Sequence, residues 1–530
     1  MIFRPDKGRH LLATHVLAFA LALGGCAKVA DDKEPIEQAR AALTRGDALG
    51  AEIILRRELD GGAPREQLAA LLGEAELVQG NLAEAREWLA KGEFDDTTRA
   101  HGFHMLGRLE ARSGNLPAAG AAYDRALAVN PGDADLWVDI GRLRYQGGEQ
   151  VQAIEAADHA VGLGPQYARA LHFRGQLVRD AFGLAAALPW FEAGLSHAPD
   201  DSQLLADYAA TLGELGRVKE MLKAVRHLAK VDPKNPQVFY LQAVLAARAG
   251  KPEFARALLQ RSGDLERERP AAMMLSAVID MQNGNYSSAA QLLVKLNQRQ
   301  PENRRVRSML ALSLALGRND SELIYTLEEI ARRPGASPYL QTLVARAFEA
   351  RGEREAAAWY LDEAAKPRQA VLIALESDAS DSIRLSNGQM GGAEVLAAVR
   401  GAIASGELQQ ASSIADEFAA RFGGSADALS LAGDASLAAG DPQTALQRYR
   451  TSASVRRNWP LTRRMIMAHK ALGQKAEAMS LLADYVRGDP NNLEAAWLLA
   501  DGLSVHGERE RADLLMQYSV AKLGAHSTRQ

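Results

Sequence analysis

The sequence predicts an all-α fold, a right-handed α-solenoid of about 14 helix–turn–helix units. Three markers in phase carry that reading. Glycines recur at Gly46, Gly80, Gly114, Gly148, Gly216, Gly250, Gly284 and Gly352, each separated by about 34 residues or a multiple of that period. Prolines keep the same phase at Pro131, Pro165, Pro199, Pro233 and Pro301. Alanines follow at a fixed offset, at Ala51, Ala85, Ala119, Ala153, Ala187, Ala255, Ala289 and Ala357. Two gaps in the glycine ladder hold near misses, Gly183 and Gly317, each displaced by one residue. After a shift the ladder resumes at Gly406 and Gly440, with Gly473 and Gly507 again one residue early.

Each marker has a mechanical reason. Glycine at the end of a first helix takes the left-handed conformation that reverses the chain. In Lys251-Pro252 and Asp441-Pro442 the proline starts the second helix, where a missing N–H costs nothing. Gly107, Gly141 and Gly175 on first helices, with Ala119, Ala153 and Ala187 on second helices, let the two axes approach closely. The proline near the end of a unit stops the second helix. A hairpin of this kind cannot bury its apolar face alone, so it must stack on its neighbours.

The unit from Ala100 to Asp133 places Phe103, Leu106-Gly107, Ala119, Tyr123, Ala126 and Pro131 at large, small and turn positions. The next unit offers Trp137, Ile140-Gly141, Ala153, Ala160 and Pro165. In period and pattern these units resemble the tetratricopeptide repeat. Ten such units are expected over 32–371 and four over 392–527, with a tail at 528–530. Between them, residues 372–391 break the register, with an acidic, Ser-rich stretch and the turn signal Asn387-Gly388. That insertion reads as an elongated loop between repeats, or as a hinge or partner-docking element that divides the solenoid into two lobes.

The amino terminus reads as an address. Arg4, Lys7, Arg9 and His10 precede an apolar run from Leu11 to Leu23, which ends in Leu23-Gly24-Gly25-Cys26. This resembles the lipobox of bacterial lipoproteins and uses the one Cys of the chain. The resemblance implies a signal peptide over 1–25, lipidation of Cys26 and a tether over 26–31. Ala27 rather than Asp follows the Cys, which in such lipoproteins implies the outer membrane of a Gram-negative bacterium, facing the periplasm. A lipobox joined to a long repeat array is similar to the lipoproteins that accompany exopolysaccharide export, including the exosortase-associated group. That likeness implies a non-enzymatic scaffold for an export or envelope secretion complex, with envelope proteins as partners. Two alternatives stand beside it: a glycan- or peptide-binding carrier or sensor, and a pilus or outer-membrane-protein assembly factor.

Composition narrows the classes further. The 530 residues are 47% hydrophobic and 24% charged, too apolar for a disordered chain. A net charge of −4 lacks the footprint of a general nucleic-acid binder. One Cys leaves no internal disulfide and no cysteine-based metal centre. Phosphate-loop, nucleophile-elbow and zinc-helix motifs do not occur, so no catalytic residue, cofactor or metal is expected. His101 and His104, three apart on a helix, could share a metal but lack a third ligand, and read as polar groove residues. The pairs Arg304-Arg305, Arg332-Arg333, Arg456-Arg457 and Arg463-Arg464 read as solvated helix faces, the last two flanking Trp459 in a basic–aromatic patch.

In tetratricopeptide arrays the first helices line a concave groove, and positions 2, 5, 9 and 12 face the ligand. Carried onto this sequence, the unit at 100 presents His101, His104 and Arg108. The unit at 134 presents Asp135, Arg142 and Tyr145, and that at 168 presents Arg169, His172, Gln176 and Arg179. Further on, Gln237, Tyr240, Val244 and Ala247, then Ala271, Met274, Val278 and Met281, make an apolar stretch. The expected groove is cationic towards its amino-terminal part and greasy in the middle, suited to an anionic peptide, a helix or a polysaccharide. Charge reversal at Arg142 and Arg179 is expected to weaken partner binding without unfolding.

Overall fold

A computed structural model describes residues 34–366 and 392–527, apart from 302, 334, 335 and 491. The signal peptide, the tether with Cys26, the insertion at 372–391 and the tail at 528–530 lie outside the described residues. Among the described residues there are twenty-nine helices and no strand. Among them, twenty-six pair with a consecutive helix into hairpins, giving the all-α solenoid that the period predicts. No helix of the described residues is long and apolar enough to cross a membrane.

The turn chemistry follows the ladder. Every glycine of the ladder except Gly317 has positive φ, from 70° at Gly250 to 95° at Gly183. Second helices end two residues before the phased prolines, at Val129, Leu163, His197, Val231 and Arg299. Pro252 and Pro442 open their helices as expected.

Two sequence features diverge from that regularity. At the near miss 317, Gly317 ends its helix with ordinary φ −78°, and Arg318 takes the left-handed turn instead with φ 54°. The turn geometry is fixed by the hairpin, so whichever residue falls at that step must adopt it. The second helix at 252 stops early, at Arg261, because Gly263 turns left-handed. A short helix, Asp264–Glu268, then leads into Pro270, an element the period does not foresee.

The chain divides into two compact units, with the boundary at Leu109/Glu110 inside the helix Arg99–Arg112. In the first unit, helices Pro35–Thr44 and Ala48–Asp60 form one hairpin, and Arg65–Gln79 and Leu82–Leu89 the next. The last of these is short. An irregular segment follows it, in which Asp95 Oδ1 accepts from the Thr98 amide (2.8 Å) and hydroxyl (2.7 Å). Phe94 from the same segment meets the Phe103 ring edge-on at 5.3 Å.

In the second unit, the small residues set the crossing distance. Ala153 and Ala187 are fully buried, and a Cβ on Gly141 or Gly175 would fall 2.6 Å from the rings of Phe173 or Phe191. One apolar core runs over Ala277–Tyr360, with Leu293, Leu310, Leu314, Leu323 and Leu327 fully buried. Each such Leu contributes roughly 2 kcal/mol by removal from water. Hairpins on both sides of the insertion belong to this same unit.

Replacing Arg318 by Gly should stabilise the protein by about 0.5–1 kcal/mol, relief of the left-handed cost being partly offset by a freer unfolded chain. A urea titration of both proteins checks this. A lower midpoint for the variant would contradict the reading of that turn.

Candidate partner-binding groove

The sequence-assigned residues lie on first helices, and each compact unit holds part of the set. In the first unit, His101 Nε2 lies 2.8 Å from Glu74 Oε2, and Arg108 Nη1 lies 3.8 Å from Met105 Sδ. His104 is 2% exposed, so it is a buried residue rather than an open groove contact.

In the second unit the polar residues form rungs between successive first helices. Arg169, on Ala168–Phe182, reaches back to Ala134–Gln146 and pairs with Asp135 through Nη1 and with Asp139 through Nη2. Tyr167 Oη donates to Asp135 at 2.6 Å. Burial alone would pull the Arg169 pKa down, but the two carboxylates raise it on balance. Burial and then Asp135 push the Tyr167 pKa up, so its hydroxyl stays protonated.

The next rung points forward. His172 Nε2 lies 2.8 Å and Gln176 Nε2 2.6 Å from Asp207 Oδ2, on Ser202–Glu214. Arg179 Nη1 is 3.9 Å from Asp207 Oδ1, and its Nε is 3.8 Å from Asp180 Oδ1. Burial opposes the Asp207 charge, yet hydrogen bonds from His172 and Gln176 and the Arg179 charge hold its carboxyl below the usual value. Tyr145 Oη donates to Asp180 at 3.2 Å, and the Arg142 guanidinium stands 5.6 Å from the centre of the Phe173 ring.

These contacts correct the expectation of a bare cationic stretch. Asp135 and Asp139 engage Arg169, and Asp180 and Asp207 lie by Arg179. Counting only positions 2, 5, 9 and 12 passed over Asp139 and Asp207, which share one repeat position two units apart. That shared phase was the signal available in the sequence. Reversing Arg179 would therefore disturb the ladder, and reversing Arg142 its place over the Phe173 ring, as well as any ligand.

The arginine pairs divide. Arg332 and Arg333 make exposed helical pairs with Glu328 and Glu329, as solvated faces do. Arg464, by contrast, sits 2.9 Å from the buried Asp434, and Arg463 is 3.6 Å from Glu494 with 8% of its side chain exposed. Trp459 is buried, so the basic–aromatic patch is turned inward by packing. In the middle stretch Ala247 is buried rather than open to the groove. Tyr240, Val244, Met274, Val278 and Met281 are half-buried on Pro236–Arg248 and Pro270–Gln282.

Tetratricopeptide-repeat family models match residues 104–168 and 246–312. No curated protein matches the chain. Solved structures similar to it include a tetratricopeptide repeat protein from Parabacteroides merdae, 18% identical, covering 44% of this chain and 91% of that one, with a TM-score of 0.31. PilW, a type IV pilus biogenesis factor, is 16% identical over 40% of this chain and 98% of its own, with a TM-score of 0.33. The Cut9–Hcn1 structure of the APC/C is 13% identical over 88% of this chain and 95% of that one, with a TM-score of 0.32. The family models thus place tetratricopeptide repeats at residues 104–168 and 246–312.

Arg169→Met should cost about 1.5–3 kcal/mol, because it removes charged hydrogen bonds to Asp135 and the buried Asp139, and Arg169→Lys, which keeps the charge but not the planar fork, should cost less. Chemical denaturation of both variants reads this out. Asp207→Asn should cost about 1.5–3 kcal/mol at neutral pH. A lowered folded pKa stabilises above the ordinary carboxylate value, so the gap should close as pH falls below that value. A gap that is constant down to acid pH would contradict the assignment.

Proposed function

We propose that this repeat array is a non-catalytic protein-interaction scaffold, tied by lipid on Cys26 to the periplasmic face of the outer membrane. It serves the assembly of an exopolysaccharide-export or envelope-secretion complex. The lipobox sequence Leu23-Gly24-Gly25-Cys26 supports the anchor, since a soluble domain held by several acyl chains stays membrane-bound.

One observation carries the interaction reading. The rungs from Asp135 to Asp207 spend their charges on each other, whereas Tyr240, Val244, Met274, Val278 and Met281 leave an apolar line half open to solvent. Methionines on such a line adapt to varied apolar side chains. The partner is a protein segment that lays an apolar helix face into the groove.

Cys26→Ser should move the protein from the membrane fraction to the soluble periplasm. In pull-downs from detergent-solubilised membranes, Val278→Glu with Met281→Glu should reduce capture of envelope proteins at least about ten-fold, the effect of losing about 1.4 kcal/mol. Circular dichroism should be unchanged. Equal capture by the variant, or retention only on an anionic polysaccharide, would overturn the proposal.

A further inference from the structure

The second helix of the first hairpin, Ala48–Asp60, is two-sided. Ala48, Ala51 and Leu55 are buried, whereas Leu49 and Ile53, one helical turn apart, are 60% and 53% exposed. No other pair of aliphatic side chains one turn apart stands as open among the described residues. Gln79 Nε2 donates to Glu52 Oε2 at 2.7 Å, which brings Val78, 57% exposed, to the neighbouring turn.

Charge is arranged around this patch. Glu52, the one carboxylate between Leu49 and Ile53, is engaged by Gln79 and by Arg56 at 2.6 Å. Arg57 extends the stripe one turn beyond Ile53, and Arg45 stands one turn before Leu49. Both arginines are exposed, and neither side chain has a partner among the described residues. An aliphatic face with unengaged arginines at its ends suits the boundary between lipid headgroups and acyl chains. There the stems lie on apolar surface while the guanidinium groups reach phosphates.

Single exposed aliphatic residues are ordinary on a protein surface. What sets these apart is their place relative to the anchor. Cys26 lies eight residues before Glu34, and eight residue steps reach at most about 29 Å. Helix Pro35–Thr44 leads away from that point and Ala48–Asp60 returns alongside it, so the stripe runs back towards the chain entry. A lipid on Cys26 makes contact between stripe and bilayer an intramolecular event, and a patch too small to bind alone then suffices.

We propose that Leu49, Ile53 and Val78 are a second membrane contact, seated in the surface of the bilayer that holds the Cys26 lipid, with Arg45 and Arg57 on lipid phosphates. This rests on the lipid anchor proposed above and adds to it a fixed orientation of the first hairpin on the membrane.

Thiol reactivity on the full chain tests it. Acylation consumes the Cys26 sulfur, so Ile53→Cys leaves one free thiol in the anchored chain, and adding Cys26→Ser gives the unanchored reference. The anchored chain is placed in vesicles of phosphatidylethanolamine and phosphatidylglycerol, and flotation reports whether it is held. Its reaction with a charged, water-soluble maleimide should be about ten-fold slower than that of the unanchored chain in buffer, as for a patch open about a tenth of the time. Adding Leu49→Glu should restore the fast reaction, with flotation and circular dichroism unchanged. Equal rates in a chain that floats would overturn the contact and leave the anchor standing. A slow thiol in both chains would mean that protein, such as a second copy, covers the patch, and a slow thiol unmoved by Leu49→Glu would equally overturn the contact. A chain that does not float would overturn the anchor and the contact together.

Discussion

Close approach between two helices of one hairpin is the constraint on which the rest depends. It requires a left-handed residue to reverse the chain, a residue without a bulky side chain at the crossing, and a large apolar neighbour to fill the next gap. Gly175 against Phe191 shows the fit within a hairpin, and Gly141 against Phe173 shows it between neighbouring hairpins. Because each hairpin leaves an apolar face uncovered, stability comes from neighbouring units, and the 34-residue period is the length that brings the next hairpin into place.

The stack also carries charge across its seams. Arg169 with Asp135 and Asp139, and Asp207 with His172 and Gln176, join first helices that are neighbours in the array. Partly buried pairs of this kind add little net stability, since removing charge from water offsets the attraction. Their geometry nonetheless disfavours a shifted register, because a slipped hairpin would leave carboxylates such as Asp139 buried without a cation.

Much of the fold was legible in the sequence because its causes are local. A turn that needs positive φ selects glycine, and a proline cannot continue a helix, so both marked the hairpin boundaries directly. Arg318 was not legible: the ladder showed Gly317 out of step but not that the arginine would take the strained conformation. The break at Gly263 and the irregular segment around Asp95 were missed because neither falls on the period. In the groove, helical position placed Arg142, Tyr145, Arg169, His172, Gln176 and Arg179 on the right helices. It could not show that neighbouring carboxylates already engage Tyr145, Arg169, His172, Gln176 and Arg179, since those pairings cross from one unit to the next. The contact of Gly424 with Gln150 lay further out of reach, because no local pattern encodes a meeting between residues so distant in sequence.

The periodic stack makes a sharp demand on dynamics along the whole chain. Backbone amide exchange measured from 34 to 366 and from 392 to 527 reads it most directly. Slow exchange at the centres of the helices, interrupted at each left-handed turn at intervals of about 34 residues, is the expected result. An exchange profile without that interval, or one in which the turns are as slow as the helix centres, would contradict the architecture described.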